Sequence, residues 1–272
     1  MTNWLITGIS SGFGREMATQ ALERGDRVAG TVRRETDLAA KYGDRLWVGH
    51  LDVSDPAAVR PVVDAAFAAL GRIDVVVNNA GYGLFGAAEE LTDEQVQHQI
   101  ATNLLGSIQV VRAALPHLRA QHGGRIIQLS SVAGLAAHPG ASLYHASKWG
   151  IEGFMEALAG EVAPFGIGVT LVEPGGARTE FAGDSLRRGT PLSAYDGTPA
   201  AFVRTLAGDG ALLPGDPAKI AERVIASVEQ EPAPLRLILG SDSYQASVAA
   251  VRARLAQIEA QRAAAAQTNA QD

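Results

Sequence analysis

The 272-residue sequence has no cysteine, so it can form neither a disulfide nor a thiolate metal site. A structural zinc would need histidines and carboxylates alone, and no metal site is expected. No apolar run is long enough to span a bilayer. The first residues, Met-Thr-Asn-Trp-Leu-Ile-Thr-Gly, lack the basic region and long apolar core of a secretory signal, so a cytoplasmic protein is expected. Positive charge is not in excess: 23 Lys and Arg against 29 Asp and Glu leave a net charge of −6. The basic residues do not gather into a stripe, which argues against nucleic-acid binding. There is no internal repeat and no linker-like stretch, so residues 1–272 read as one domain.

What the chain does have is 30 glycines, 47% hydrophobic residues and a regular alternation of short apolar runs with helical patterns. Strands are expected at Trp4-Leu5-Ile6, Val28 to Val32, Leu46 to Val48, Ile73 to Val77, Arg125 to Leu129, Ile167 to Val172 and Leu235 to Leu239. Helices are expected from about Arg15 to Arg24, Ala57 to Leu70, Thr92 to about Gln121, Ser142 to Phe165, Ala218 to Glu229 and Val248 to about Gln261. Asp55 and Pro56 supply an N-cap and a first-turn proline for the second helix, with Pro61 disturbing its first turn. Thr92 opens the third with the Thr-x-x-Gln of a capping box. Residues 178–215 break the pattern: they are rich in Gly, Pro and Ser, with scattered Phe181, Leu186, Tyr195, Phe202 and Leu206. A connection this long is expected to cover a binding site. Ala263 to Asp272 reads as a frayed tail after the terminal helix that begins beyond residue 240. Repeated strand–helix alternation implies a parallel sheet with helices on both faces.

Two motifs carry chemistry. Tyr144 and Lys148 stand four residues apart in Tyr-His-Ala-Ser-Lys, thirteen residues after Ser131, and on a helix they share a face. A cation beside a phenol favours the phenolate, which is what a tyrosine general acid/base near neutral pH needs. Earlier, Thr7-Gly8-Ile9-Ser10-Ser11-Gly12-Phe13-Gly14 joins the first strand to the first helix. Glycines there let the backbone approach a pyrophosphate whose charge the helix N-terminus stabilises. The same residues contain Gly8-Ile9-Ser10-Ser11-Gly12, a G-x-S-x-G that could place Ser10 in a nucleophile elbow. That hydrolase reading is the weaker, because such an elbow follows a mid-sheet strand and this turn follows the first.

Together these residues resemble the short-chain dehydrogenase/reductase family over roughly residues 3–240. The resemblance implies a Rossmann-type, doubly wound α/β fold with a mostly parallel sheet of about seven strands and helices on both faces. It implies that Gly8, Ser10, Ser11, Gly12, Phe13 and Gly14 form the cofactor turn. Asn79, Ala80 and Gly81 are similar to the last three residues of the family's N-N-A-G motif, which here begins at Asn78. Asp52, beside Val53, stands where the family's acid contacts the adenine. Asn103, Ser131, Tyr144 and Lys148 match its catalytic set, with Tyr144 and Lys148 also at the cofactor. Pro174-Gly175 with Thr179 resembles the segment that holds the nicotinamide carboxamide. Ser131 is preferred to Ser130 for its distance from Tyr144. Of the six histidines, which read as structural, only His138 stands near the expected site mouth.

The end of the second strand bears on the cofactor. In Gly30-Thr31-Val32-Arg33-Arg34, Val32 occupies the place of an NAD-type acid, so Arg33, with Arg34 behind it, is the candidate for a 2′-phosphate. NADP(H) is therefore expected over NAD(H), with Glu35 or Asp37 as alternative ribose contacts. The expected substrate is a moderately hydrophobic ketone or aldehyde and its alcohol; a weak similarity to steroid- and retinol-dehydrogenase-like members does not define it further. A regulator that senses NADP(H) without turnover is the alternative from another class. By the same resemblance, a homodimer or homotetramer would form through helices 92–121 and 142–165.

Overall fold

Nine strands and nine α-helices follow one another in this computed structural model among the described residues, 1–179, 186–205 and 213–270. They are β1 (Asn3–Thr7), α1 (Gly12–Glu23), β2 (Arg27–Val32), α2 (Leu38–Tyr42), β3 (Leu46–His50), α3 (Pro56–Leu70), β4 (Val75–Asn78), β5 (Gly83–Phe85), α4 (Asp93–Ile100), α5 (Ser107–Ala120) and β6 (Gly124–Leu129). After these come α6 (Ser142–Val162), β7 (Ile167–Pro174), β8 (Leu186–Arg188), α7 (Pro217–Ser227), β9 (Arg236–Leu239), α8 (Ser241–Glu259) and α9 (Arg262–Ala266). Seven strands form one sheet in the order β3-β2-β1-β4-β6-β7-β9, every pair parallel.

A parallel sheet must be covered on both faces, and alternate side chains of its strands serve the two cores. Leu5, Val76 and Ile126 pack with Val59, Phe67, Val110, Leu118 and Met155 of α3, α5 and α6. Trp4, Ile6, Val77 and Ile127 pack on the other face with Met17 and Leu22 of α1 and Ile220 and Val224 of α7. Each such aliphatic side chain, wholly removed from water, contributes about 1.5–3 kcal/mol. Asp55 caps α3 by accepting from the Ala57 N–H, and the helix runs on through Pro61. Thr92 and Gln95 complete the capping box of α4.

From β1 the chain winds outward to β3 on one side and, through β4, to β9 on the other. The loops leaving β1 and β4 therefore part, and the resulting crevice at the carboxyl ends of the strands is where open α/β sheets bind ligands.

The structure departs from the sequence-based expectations in six places. The long helix expected over 92–121 is divided by a π-helical turn at Ala101–Gly106. This wider turn lets Gly106 lie against the loop after β3, where a methyl group would stand 2.7 Å from the Val53 carbonyl oxygen. Strands β5 and β8, neither expected, form a separate parallel pair, so the segment after residue 178 is not merely a connection. Helix α1 starts at Gly12 and not Arg15, and α2 was not expected. Helix α8 starts at Ser241, seven residues early, because its buried face there is made by Ser243 and Ser247 and not by apolar residues. Ser243 anchors that face by donating to the Glu173 carbonyl at 2.7 Å. Part of the expected frayed tail is the short exposed helix α9. Phe181, Leu206 and Asp272 lie outside the described residues.

Candidate active site

The glycine turn is locked from behind. The Gly8 and Ile9 N–H groups both donate to the Thr31 carbonyl at 3.0 Å. Thr7 Oγ1 accepts from the N–H groups of Asn79 and Ala80, both at 3.0 Å, tying β1 to the loop after β4. Asn79 Nδ2 donates to the carbonyls of Thr7 and Gly8 at 2.9 and 3.0 Å. Gly8 and Gly12 have φ of +74° and +55°, the left-handed region that suits glycine. Gly14 serves packing: a methyl group there would stand 2.2 Å from the Gly8 carbonyl oxygen. It is buried behind the turn and is not among the residues that line the cleft.

In front of this turn lies a cleft lined by Gly8, Ser10, Ser11, Gly12, Phe13, Asn79, Ala80 and Gly81, and further along by Arg33, Asp52 and Val53. Ser11 stands at the N-cap of α1 but makes no side-chain capping bond, so the first N–H groups of this twelve-residue helix are left for a ligand. These features suit a phosphate-bearing dinucleotide. Among the described residues no histidine is bonded to Ser10: His98 meets Tyr82, His117 meets Asp64 and His145 meets Ala133. A hydrolase elbow is not assembled.

At the far end of the cleft, the Arg33 carbonyl is bonded to His50 Nε2 at 2.9 Å, which fixes the end of β2. Burial pushes the Asp52 carboxyl up, but hydrogen bonds from the Ser54 N–H and hydroxyl hold it below its ordinary value. Arg34 does not line the cleft, and Asp37 is engaged by Arg15 at 2.7 Å. Five lining residues were not among the site candidates of the sequence: Thr31, Val32, Leu51, Tyr82 and Thr102.

The cleft continues past Phe13, Asn79, Gly81 and Thr179 into a second, more apolar cavity. Here Ser131, Tyr144 and Lys148 come together, with Pro174, Gly175 and His138 at its edges. Helix α6 places Tyr144 and Lys148 on one face, both buried. Burial pushes the Tyr144 phenol up to about 12, opposed by its hydrogen bond with Ser131. Burial also pulls the Lys148 ammonium down to about 8, opposed by Glu152. Lys148 Nζ donates to the Leu129 carbonyl at 2.9 Å and lies 5.7 Å from the centre of the Tyr144 ring. Burial and Ser131 set the phenol, and the expected lowering by Lys148 is not among the causes of its shift. Ser130, the alternative to Ser131, is also buried, but the bond to Tyr144 belongs to Ser131. His145 accepts the His138 N–H at Nε2, so its Nδ1 donates to the Ala133 carbonyl; this pair supports the wall as structure.

Asn103 stands in the π turn but does not line either cavity. Its amide pairs with the Tyr82 backbone in both directions, Oδ1 accepting from the N–H at 3.1 Å and Nδ2 donating to the carbonyl at 2.9 Å. The side chain thus positions Tyr82, and its Nδ2 also donates to Ser147 Oγ at 3.3 Å.

Residues 186–205 close the outer side. Gly189 donates to the Phe85 carbonyl at 2.9 Å, continuing the β5–β8 pairing. Buried Glu90 accepts from the N–H groups of Ala87 and Leu192, at 2.8 and 2.9 Å, and pairs with Arg204. Tyr195 donates to Glu89 at 2.6 Å. None of these latch residues carries a sequence signal.

This crevice, glycine turn and Ser–Tyr–Lys cluster define a dinucleotide-binding oxidoreductase of the α/β class. The profile of the short chain dehydrogenase family matches residues 2–188. Oxidoreductase BOA17 of Botryotinia fuckeliana is 40% identical over 246 residues, covering 89% of this chain and 90% of that protein. The crystal structure of a short-chain dehydrogenase from Streptomyces avermitilis is 36% identical, with a TM-score of 0.91 over 99% of this chain and 98% of that one. A short chain dehydrogenase/reductase from Burkholderia phymatum in complex with NAD is 25% identical, with a TM-score of 0.81 over 96% and 95%. The chain belongs to the short-chain dehydrogenase/reductase family, oxidoreductases that act on CH–OH and C=O groups with NAD or NADP.

Proposed function

We propose that this protein is an NADP(H)-dependent oxidoreductase that interconverts a moderately hydrophobic ketone or aldehyde and its alcohol. The observation that carries this reading is the Ser131–Tyr144 hydrogen bond over buried Lys148, in a cavity continuous with the cleft at the glycine turn. The nicotinamide cofactor, when bound, supplies or takes the hydride. Tyr144, neutral at pH 7 with its phenol near 12, gives its proton to the substrate oxygen in reduction and takes it back in oxidation. Ser131 hydrogen-bonds the same oxygen and stabilises the charge that develops there. Lys148 brings a cation beneath the ring, and Asn103 positions the loop at Tyr82. Gly8, Ser10 to Phe13, Asn79, Ala80, Gly81, Asp52, Val53, Pro174, Gly175 and Thr179 would hold the cofactor, with Arg33 at a 2′-phosphate.

Phe13, Phe85, Leu186 and Leu213 give the second cavity an apolar lining, which supports a hydrophobic substrate. We read residues 1–272 as one cytoplasmic domain that self-associates through α4–α5 and α6, where Leu105 and Trp149 are exposed. Arg33 in the cleft favours NADP(H); the Burkholderia complex favours the second reading, NAD(H). The test is consumption of NADPH and NADH with a panel of ketones and aldehydes by the wild type and Tyr144→Phe. Turnover should fall by about 10²–10⁴-fold in the variant, with dinucleotide binding kept. A variant that keeps most of its turnover would sink the assignment, and tight binding without turnover on any substrate would favour a regulator.

A further inference from the structure

Helix α6 carries a ladder of titratable side chains at four-residue intervals, Tyr144, Lys148, Glu152 and Glu156. Residues so spaced are neighbours on a helix, and at about 3.6 residues per turn the row drifts by about 40° at each step. The drift takes it from the second cavity, where Tyr144 and Lys148 are buried, through buried Glu152 to Glu156 at the surface. Three other elements close around Glu152. Arg236 of β9 pairs with Glu152, with Glu156 and with Glu173 of β7, and the Ser243 hydroxyl of α8 holds the Glu173 carbonyl. Ser130 Oγ, in the wall of the second cavity, and Glu152 Oε1 flank Gly134: a methyl group there would stand 2.9 and 2.8 Å from them. Both atoms are buried, and neither has a hydrogen-bond partner among the described residues.

Glu152 and Glu173 lie within hydrogen-bond reach of each other, and two carboxyls can bond only through a proton held between them. Arg236 neither gives nor takes that proton. Glu173, pushed up to about 8 by burial and by Glu152, keeps it at neutral pH. Burial brings Lys148 down to about 8 as well, so a proton passes between the pair and Lys148 at little cost.

We infer that Glu152 and Glu173 hold the proton that restores Tyr144, and that the α6 ladder connects them to water at Glu156. The inference rests on the role of Tyr144 given above. In reduction the Tyr144 O–H bond breaks and its proton goes to the substrate oxygen. The phenolate then takes a proton from the Lys148 ammonium, and Lys148 regains one from the Glu152–Glu173 pair. The pair is recharged from water through Glu156. One proton leaves the solvent for each alcohol formed, and oxidation runs the line backwards. Arg236, by gathering the three carboxyls, keeps the ladder in register.

The test separates the first turnover, for which Tyr144 already holds its proton, from those that follow. Absorbance of the reduced nicotinamide is followed through a single turnover and in the steady state, with a ketone or aldehyde that the wild type reduces. Glu152→Gln keeps the shape of the side chain and an oxygen for Arg236. It should leave the first turnover within about three-fold, lower kcat by about ten-fold, and regain it as imidazole, a small proton carrier, is added at constant pH. Glu156→Gln, at the surface where folding is not at stake, should lower kcat about three-fold with the same rescue, and decides alone should Glu152→Gln not fold. Equal loss in both phases without rescue would make Glu152 a structural support, and an unchanged kcat in both variants would place the route of the proton elsewhere. Either result overturns the inference and leaves the Tyr144 reading standing, provided that Tyr144→Phe loses its first turnover. A Tyr144→Phe protein that completes the first turnover at the wild-type rate overturns both.

Discussion

The glycine turn and residues 186–205 face each other across the same crevice, yet they are held by different forces. The turn is fixed by neutral hydrogen bonds inside the sheet: Thr7 Oγ1 to two N–H groups, Asn79 to two carbonyls, and the Gly8 and Ile9 N–H groups to Thr31. The segment is held by charge at its edge, through Glu90 with Arg204 and Arg204 with Asp196. Neutral buried bonds ignore salt, whereas the solvent-facing Arg204–Asp196 pair is screened over about 8 Å at physiological ionic strength and the buried Glu90–Arg204 pair much less. The cofactor side is therefore built as a rigid floor, and the substrate side as an attachment that one charge can loosen.

The most damaging way to break the comparison is to overfill the floor. In Gly14→Ala the new methyl meets the Gly8 carbonyl oxygen at 2.2 Å and Asn79 Nδ2 at 2.4 Å, both held by other bonds. Overpacking of this kind should cost about 3 kcal/mol of stability, read from denaturant unfolding. The displaced turn should weaken dinucleotide binding about a hundred-fold, as misplacement of a positioning group by an ångström does. Normal binding by a stable Gly14→Ala protein would show that the floor yields.

A smaller effect is expected at the latch. Glu90→Ala leaves the Ala87 and Leu192 N–H groups without their partner and Arg204 with Asp196 and the Leu192 carbonyl. The segment should loosen while the sheet stays intact. The substrate KM should rise about ten-fold with kcat and ADP-ribose binding each within about two-fold. An equal fall in kcat would mean that the latch also sets the geometry at Tyr144.

The same contrast explains what the sequence disclosed. Thr7, Gly8, Gly12 and Asn79 were legible because a backbone that must turn left-handed and be met at close range tolerates few residue types. Tyr144, Lys148 and Ser131 were legible through helical spacing and family pattern, and the structure brings them into one cavity. Glu90 and Arg204 are 114 residues apart, and nothing local marks either as the other's partner. Strands β5 and β8, three residues each, are too short for an alternation to register. Asn103 was found by family position, but its side-chain bonds to Tyr82 depend on a π turn that no helical periodicity encodes.

Buried charge beneath the site gives the smallest and most specific test of the contrast. Glu152 and Glu173, both buried, share Arg236, which also reaches Glu156 at the surface. Burial and the neighbouring Glu152 push the Glu173 carboxyl up to about 8. A carboxyl raised in the folded state binds more protons folded than unfolded between its ordinary value near 4.5 and about 8. Its stabilising contribution is then complete below 4.5 and is lost as pH rises through 8. Thermal unfolding of the wild type and Glu173→Gln across this range should therefore differ in slope. The wild type should fall relative to the variant between pH 5 and pH 8, by roughly 2–4 °C for each kcal/mol that this titration withdraws. Parallel slopes would mean that Glu173 stays ionised and that Arg236 alone neutralises it, which would make this buried cluster an ion pair of the same kind as the latch, differing only in its depth.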